Sequence, residues 1–474
     1  MVAFPINDAL YNETRSALGT GLRCHVPGHG GQPWFGTISD RLAWLDTLTP
    51  FDTTELPGLD TLSDPAGIIL ESQTLVAQTY GAAHSFYLVN GASAGLHASL
   101  LALSWLKPNQ PVLVARNAHR AVIAGLLLAR LEPIWVLPSY DEDWHLWDGL
   151  TVDALEAAFR QHPHASAIVL PHPTYEGRPA DIQRIASWAK AHSLVVIVDE
   201  AHGTLWPLID GCPSALQAGA DVVVHSAHKS AGSLTQTAVL HLGPGSALPK
   251  QTVAQALNLL HTSSPSYPLL ASLEAALLYW ASATGRQQLN HHMQRIHELE
   301  QWIDHTLTTL ERHQHTGPLQ CLLRVKPQPG QRIVEGQTLA EAMEECYGLR
   351  YEAVSGMGVL LLLHGAFTDA CFDRLKTGLA ACQTHPFETA PSATGTPAYS
   401  DNLQHLPEQV LSLADSQQKP TEVLPKHELA GRCAAQVYAP CPPGIAVVVP
   451  GERIEAGHLP WLPDSFSVIK GEAP

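Results

Sequence analysis

The stretch VVVHSAHKSAGSLTQTAVLHL, residues 222–242, decides how the rest of the chain is read. It opens on Val222, Val223 and Val224, a β-branched run that predicts a buried strand. Small and polar residues follow, and then a second apolar run over 238–240. Between the two lies Lys229, with Ser226, His228 and Ser230 around it. A lysine there either projects into a cavity or sits on an exposed loop. Upstream, VVIVDEAHG (residues 195–203) favours the cavity. An apolar strand ends there in Asp199, and open α/β sheets bind their ligands at the carboxyl ends of strands.

An aspartate and a lysine at two such strand ends suit pyridoxal 5'-phosphate. The lysine amine forms a Schiff base with the cofactor aldehyde, and the aspartate keeps the pyridine nitrogen protonated. The motifs SAHKSAGSLTQ and VDEAHG resemble those of the fold-type I pyridoxal-phosphate enzymes, in particular the prokaryotic ornithine/lysine/arginine decarboxylases. With gaps, the resemblance runs over most of the chain.

Composition agrees with a globular enzyme: 474 residues, 45% hydrophobic and 15% charged, enough for a large core and two or three domains. The net charge of −17 argues against nucleic acid as a partner; it would also raise the local concentration of a cationic substrate, but many cytosolic proteins are equally acidic. No apolar run is long enough to span a membrane, and the start, MVAFPINDALYNETRS, has no signal-peptide pattern. The eight cysteines are scattered without C-x-x-C pairs, which predicts a reduced, cytoplasmic protein with no metal site. The histidines at 291, 292, 297 and 305 read as part of a polar helix rather than as ligands.

Residues 1–60 read as an N-terminal arm, with a turn-rich loop at His25–Gly31. The family carries a lysine where Gly30 stands. FDTTELPGLDTLSDPAG (residues 51–67) resembles the family's T-E-L-P-G-L-D-D-L segment, and a helix over 69–80 closes at Gly81. Alternating strands and helices then predict a mostly parallel sheet, a pyridoxal-phosphate-binding large domain over 61–285. Within it, FYLVNGASAGLHASLLAL runs from a strand through a small-residue turn into a helix, and such an N-terminus can hold phosphate at Gly91, Ala92 and Ser93. The resemblance implies that His119, in R-N-x-H, stacks on the cofactor ring and that Thr174, in PHPTYEG, lies beside it; Tyr175 is either a site or a core aromatic. His202 follows Asp199 by one turn of loop. DEDWHLWDG (residues 141–149) reads as a surface loop.

HTSSPSY (residues 261–267) resembles a family segment at the dimer interface, which implies that Thr262 and Ser263 reach a partner's cofactor phosphate in a homodimer or higher homo-oligomer. A long polar helix over 286–315 leads into a small α/β domain, 286–390. Residues 391–474 hold a linker candidate (391–420) and a C-terminal segment resembling the family's P-Y-P-P-G-I-P. Here Cys441, Ala446 and Gln436 depart from the family's Tyr, Pro and Glu. The expected activity is decarboxylation of lysine, ornithine or arginine, with Lys229, Asp199, His228 and His119 catalytic and Ser226 and His202 among the cofactor contacts. Alternatives are an aminotransferase or aldolase of the same fold, or a non-catalytic cofactor-binding homologue.

Overall fold

Short apolar runs, each followed by helix-forming sequence, assemble into one central sheet. The computed structural model describes residues 3–20, 22–328, 334–387, 405–440 and 444–471. The first strands are β1 (His84–Leu88), β2 (Val112–Ala115), β3 (Pro133–Val136), β4 (Tyr140–Asp141), β5 (Leu146–Trp147), β6 (Ala167–Pro171), β7 (Val195–Asp199), β8 (Val222–His225) and β9 (Ala238–Leu242). Seven of them form the sheet in the order β1-β9-β8-β7-β6-β2-β3, with only β9 antiparallel to its neighbours. Successive residues face opposite sides. Val223 and Val198 join one core cluster, Val222, Val224 and Ile197 the other. With both faces covered, the strands read as continuous apolar runs rather than alternating ones.

Register sets the site. Asp199 pairs with Pro171 on one side and Val224 on the other, so the carboxyl ends of β6, β7 and β8 lie side by side. The helix Gly91–Leu106 packs close on this sheet because Gly95 has no side chain. A Cβ there would fall 2.8 Å from Leu88 Cδ1 and 3.0 Å from Val224 Cγ1.

The helix Ala283–Thr306 leads away from the sheet. It is shorter than the sequence suggests: Leu307 and Leu310 are buried and turn the chain into a second sheet. That sheet comprises β10 (Leu310–Arg312), β11 (Gln320–Val325), β12 (Ala353–Ser355) and β13 (Gly358–Leu362), antiparallel in the order β10-β11-β13-β12. The C-terminal hairpin of β14 (Thr421–Pro425) and β15 (Ser465–Ile469) covers its own small core, including Val448, Ile454 and Phe466.

Two readings need correction or extension. Residues 141–149 are not a surface loop: β4 and β5 form a hairpin in which Trp144, Leu146 and Trp147 are buried. Trp144 and Leu146 pack on Leu322 and Leu360 of the second sheet, and Arg324 lies 4.0 Å over the Trp144 ring. Covering large apolar side chains is favourable by roughly 2–3 kcal/mol each, which outweighs the acidic residues around them. The N-terminal arm also holds a 16-residue helix, Pro5–Thr20. Ile6 and Leu10 are buried, and the amides of Ile6 and Asn7 donate to the buried Glu274 carboxylate at 2.9 and 2.8 Å. An acid at a helix N-terminus satisfies donors that have no partner within the helix.

Of the linker candidate, 391–404 lies outside the described residues. Residues 405–420 dock on the central layer, where the amides of Leu413 and Ala414 donate to Glu132, each at 3.0 Å. Among the described residues, no helix is long and apolar enough to cross a membrane.

Candidate active site

Strand β7 ends at Asp199, whose Oδ1 accepts from the Ala201 amide at 3.2 Å. Strand β8 ends one residue before Ser226. The chain then makes a single helical turn, Ala227–Ser230, tighter than the loop expected. That turn aims Lys229 back over β7, and its Nζ lies 2.8 Å from His202 Nε2. Burial, and then the positive charge of Lys229, hold the His202 imidazole well below its usual pKa. A neutral ring of this kind accepts the lysine proton at Nε2. The Lys229 amine also lies 5.9 Å from the centre of the Tyr175 ring, which packs edge-on against His202 at 4.7 Å.

Two more histidines face the same space. His119 caps the helix Arg120–Ala129, its Nδ1 accepting from the Ala121 amide at 3.1 Å. Burial lowers its pKa, and the nearby Asp199 charge partly opposes this. His228 Nδ1 donates to the Thr237 carbonyl at 3.1 Å, and its pKa is lowered chiefly by burial. Opposite them, the helix Gly91–Leu106 begins at the cavity with no side chain capping it. Such an N-terminus offers amide donors and a positive dipole end to an anion.

Gly91, Ala92, Ser93, His119, Thr174, Asp199, His202, Ser226, His228 and Lys229 all line one cavity of about 350 Å³. The Thr174 hydroxyl is engaged within its own loop, donating to Glu176 at 3.0 Å and accepting from the Arg178 amide at 3.2 Å. Thr262 and Ser263 are not brought to this cavity; both are exposed. Of the departures from the family pattern, Ala446 is buried in the core, Gln436 is exposed, and Gly30 lies in a loop away from the cavity. Cys441 lies outside the described residues.

Several lining residues were not singled out in the sequence, Glu352 and Ile445 among them. Glu352 sits one residue before β12 and is exposed at the cavity mouth, where the Tyr175 hydroxyl donates to its Oε1 at 2.7 Å. Ile445 enters from the C-terminal segment. Glu352 belongs to no local pattern, and Ile445, though part of the stretch resembling P-Y-P-P-G-I-P, was not itself singled out; only the packing of distant segments brings them in.

The fold matches that of a decarboxylase. The solved structure of the Escherichia coli constitutive lysine decarboxylase superposes with a TM-score of 0.79 at 17% identity, covering 99% of this chain and 82% of that one. Sequence profiles described as "Orn/Lys/Arg decarboxylase, major domain" and "Orn/Lys/Arg decarboxylase, C-terminal domain" match residues 14–326 and 397–463. The chain belongs to the Orn/Lys/Arg decarboxylase family and is an enzyme of the amino-acid decarboxylase class. It is 34% identical over 452 residues to a Bacillus subtilis protein described as uncharacterized protein YaaO, spanning 91% of this chain and 88% of that one. It is 29% identical over 461 residues to an arginine decarboxylase of Halalkalibacterium halodurans, spanning 93% and 89%.

Proposed function

We propose that this enzyme decarboxylates a basic amino acid, lysine, ornithine or arginine, with pyridoxal 5'-phosphate attached to Lys229. The observation that carries this is a cavity with a carboxylate at each end, Asp199 at the strand ends and Glu352 at the mouth. The residues fit the cofactor: an amine within the cavity, a carboxylate at a strand end beside it, and an uncapped helix N-terminus for the phosphate.

When bound, the cofactor supplies an electron-withdrawing ring that takes up the electron pair left at Cα as carbon dioxide departs. Asp199 keeps a negative charge against the pyridine nitrogen and so favours its protonated form. Gly91, Ala92 and Ser93 hold the phosphate, with Ser226 beside it. His119 and Thr174 would flank the cofactor ring, and His202 accepts from Lys229 and holds the amine in place. Lys229 or His228 returns a proton to Cα. Glu352, steadied by the Tyr175 hydroxyl, pairs with the distal cation of the substrate.

Thr262 and Ser263, exposed on their own subunit, support a homodimer in which they reach the neighbour's phosphate. Asn90 tethers the start of their loop, donating to the Leu260 carbonyl at 3.1 Å. The free cysteines among the described residues suit the cytoplasm. Carbon dioxide release, assayed over a panel of amino acids, tests the reading. Release is expected from at least one of lysine, ornithine and arginine, from protein that scatters light as a dimer of the 51.1 kDa chain. Release from none of the three by cofactor-loaded protein would contradict it.

A further inference from the structure

The C-terminal segment lends Ile445 to the cavity lining, and the way that segment is fastened is specific. Arg116 directly follows β2, three residues before His119. Its guanidinium forks onto both carboxylate oxygens of Glu452 at 2.8 and 2.9 Å. Arg116 is 2% exposed and Glu452 fully buried. The same guanidinium donates to the Val447 carbonyl at 3.3 Å and lies 5.0 Å over the Trp135 ring. Glu452 also accepts from the Val449 amide at 2.9 Å. A bidentate fork fixes orientation as well as distance, which an apolar contact does not.

What this pair fastens lies against His119. The Arg120 amide donates to the Gly444 carbonyl at 2.8 Å, and His119 and Ile445 form an antiparallel bridge. Gly444 has φ +82°, and a Cβ on it would fall 2.7 Å from Cδ2 and 2.8 Å from Nε2 of His119. The imidazole is therefore held between the Ala121 amide at Nδ1 and the backbone of Gly444.

We propose that Glu452, acting through Arg116, is a positioning residue of the active site: the buried pair locks the C-terminal segment onto the His119 loop and sets the angle of the imidazole in the cavity. This rests on the decarboxylase reading, in which His119 lies against the cofactor ring. Losing one partner of a buried pair leaves the other charge uncompensated, so the lock holds or fails as a unit.

The test is a double-mutant cycle on the cofactor-loaded enzyme, using Glu452→Gln and His119→Ala alone and together. The readouts are kcat, KM and the visible circular dichroism of the bound cofactor, which reports how the ring is seated. Glu452→Gln is expected to lower kcat about tenfold or more through misplacement, with KM changed less than about threefold and the dichroism reduced. In the His119→Ala background the same substitution is expected to change kcat and dichroism by no more than about twofold, because coupled sites are not additive. Equal losses with and without His119 would overturn the inference and leave Glu452 a purely structural residue. If Glu452→Gln does not fold, Gly444→Ala carries the same cycle: it leaves the ion pair intact and presses on the imidazole, and additive losses overturn the inference equally. Wild-type protein with no visible cofactor band would overturn the decarboxylase reading and this inference with it. A band with an additive cycle overturns this inference alone.

Discussion

The floor and the mouth of the cavity are built differently. The floor comes from the carboxyl ends of neighbouring parallel strands, where Asp199 and Lys229 sit on backbone fixed by sheet register and buried packing. The mouth comes from three segments far apart in sequence: Tyr175, Glu352 beside the second sheet, and Ile445 from the C-terminal segment. Floor residues are held rigidly and suit electrostatic work in a dry site, where preorganised charge counts most. Glu352 is exposed at the mouth, where a single ion pair is worth about 1 kcal/mol or less. On the proposed function, chemistry belongs to the first region and choice of substrate to the second.

The largest effect should follow a change in the floor. Asp199→Asn removes the charge facing the ring while keeping the side chain's shape, and turnover should fall on the order of hundredfold or more, with cofactor affinity far less affected. Steady-state kinetics and cofactor titration read both. Near-normal turnover would make Asp199 a structural strand end and dissolve the contrast.

A change at the mouth should act on binding. Glu352→Gln is expected to raise KM for the preferred basic amino acid up to about fivefold, with kcat changed much less, since an interaction present equally in ground and transition states affects KM alone. A fall in kcat with unchanged KM would move Glu352 from substrate binding into the chemistry.

The smallest effect concerns proton linkage at the floor. His202 is kept neutral by burial, so its folded pKa lies well below the value of about 6.5 it regains on unfolding. Below that pH the unfolded chain binds the extra proton, and stability falls as the solution is acidified; above it the contribution vanishes. The loss from this residue is at most about 1.4 kcal/mol per pH unit. Denaturant unfolding of the cofactor-free protein between pH 7.5 and 5.5 should show that slope in the wild type and a shallower one in His202→Gln. Identical slopes would mean that His202 is charged in the fold.

The floor was largely legible in the sequence and the mouth only in part, since Tyr175 and the segment holding Ile445 were flagged but Glu352 was not. The reason is physical. An apolar run ending in a single acid specifies both the strand and where its last side chain stands, as at Val195–Asp199. Lys229, by contrast, lies four residues past the end of Val222–His225, on a helical turn that the sequence showed only as a small, polar break. The turn at Gly91–Ser93, which lines the cavity, was readable because a strand, a small-residue turn and a helix are contiguous in the chain. Glu352 is one acid in YEAVS, and nothing local distinguishes it from a solvated neighbour. It becomes part of the cavity only because the second sheet packs beside Tyr175. The hairpin around Trp144 was obscured in the same way, since its acidic neighbours suggest solvent while its apolar partners, Leu322 and Leu360, lie far along the chain. The helix Pro5–Thr20 carried a weak local signal in the spacing of Ile6 and Leu10, too short a pattern to stand out in a Pro- and Gly-rich arm.

The proposed function requires Lys229, which lines the same cavity as Asp199, to carry the cofactor covalently. Borohydride reduction of the cofactor-loaded protein, followed by peptide mapping, tests it most directly. Loss of the visible band and a pyridoxyl group fixed on Lys229, in the peptide spanning residues 222–242, are expected. A Lys229→Ala protein that still yields a borohydride-fixed pyridoxyl group, or a label on any other lysine of the wild type, would contradict it.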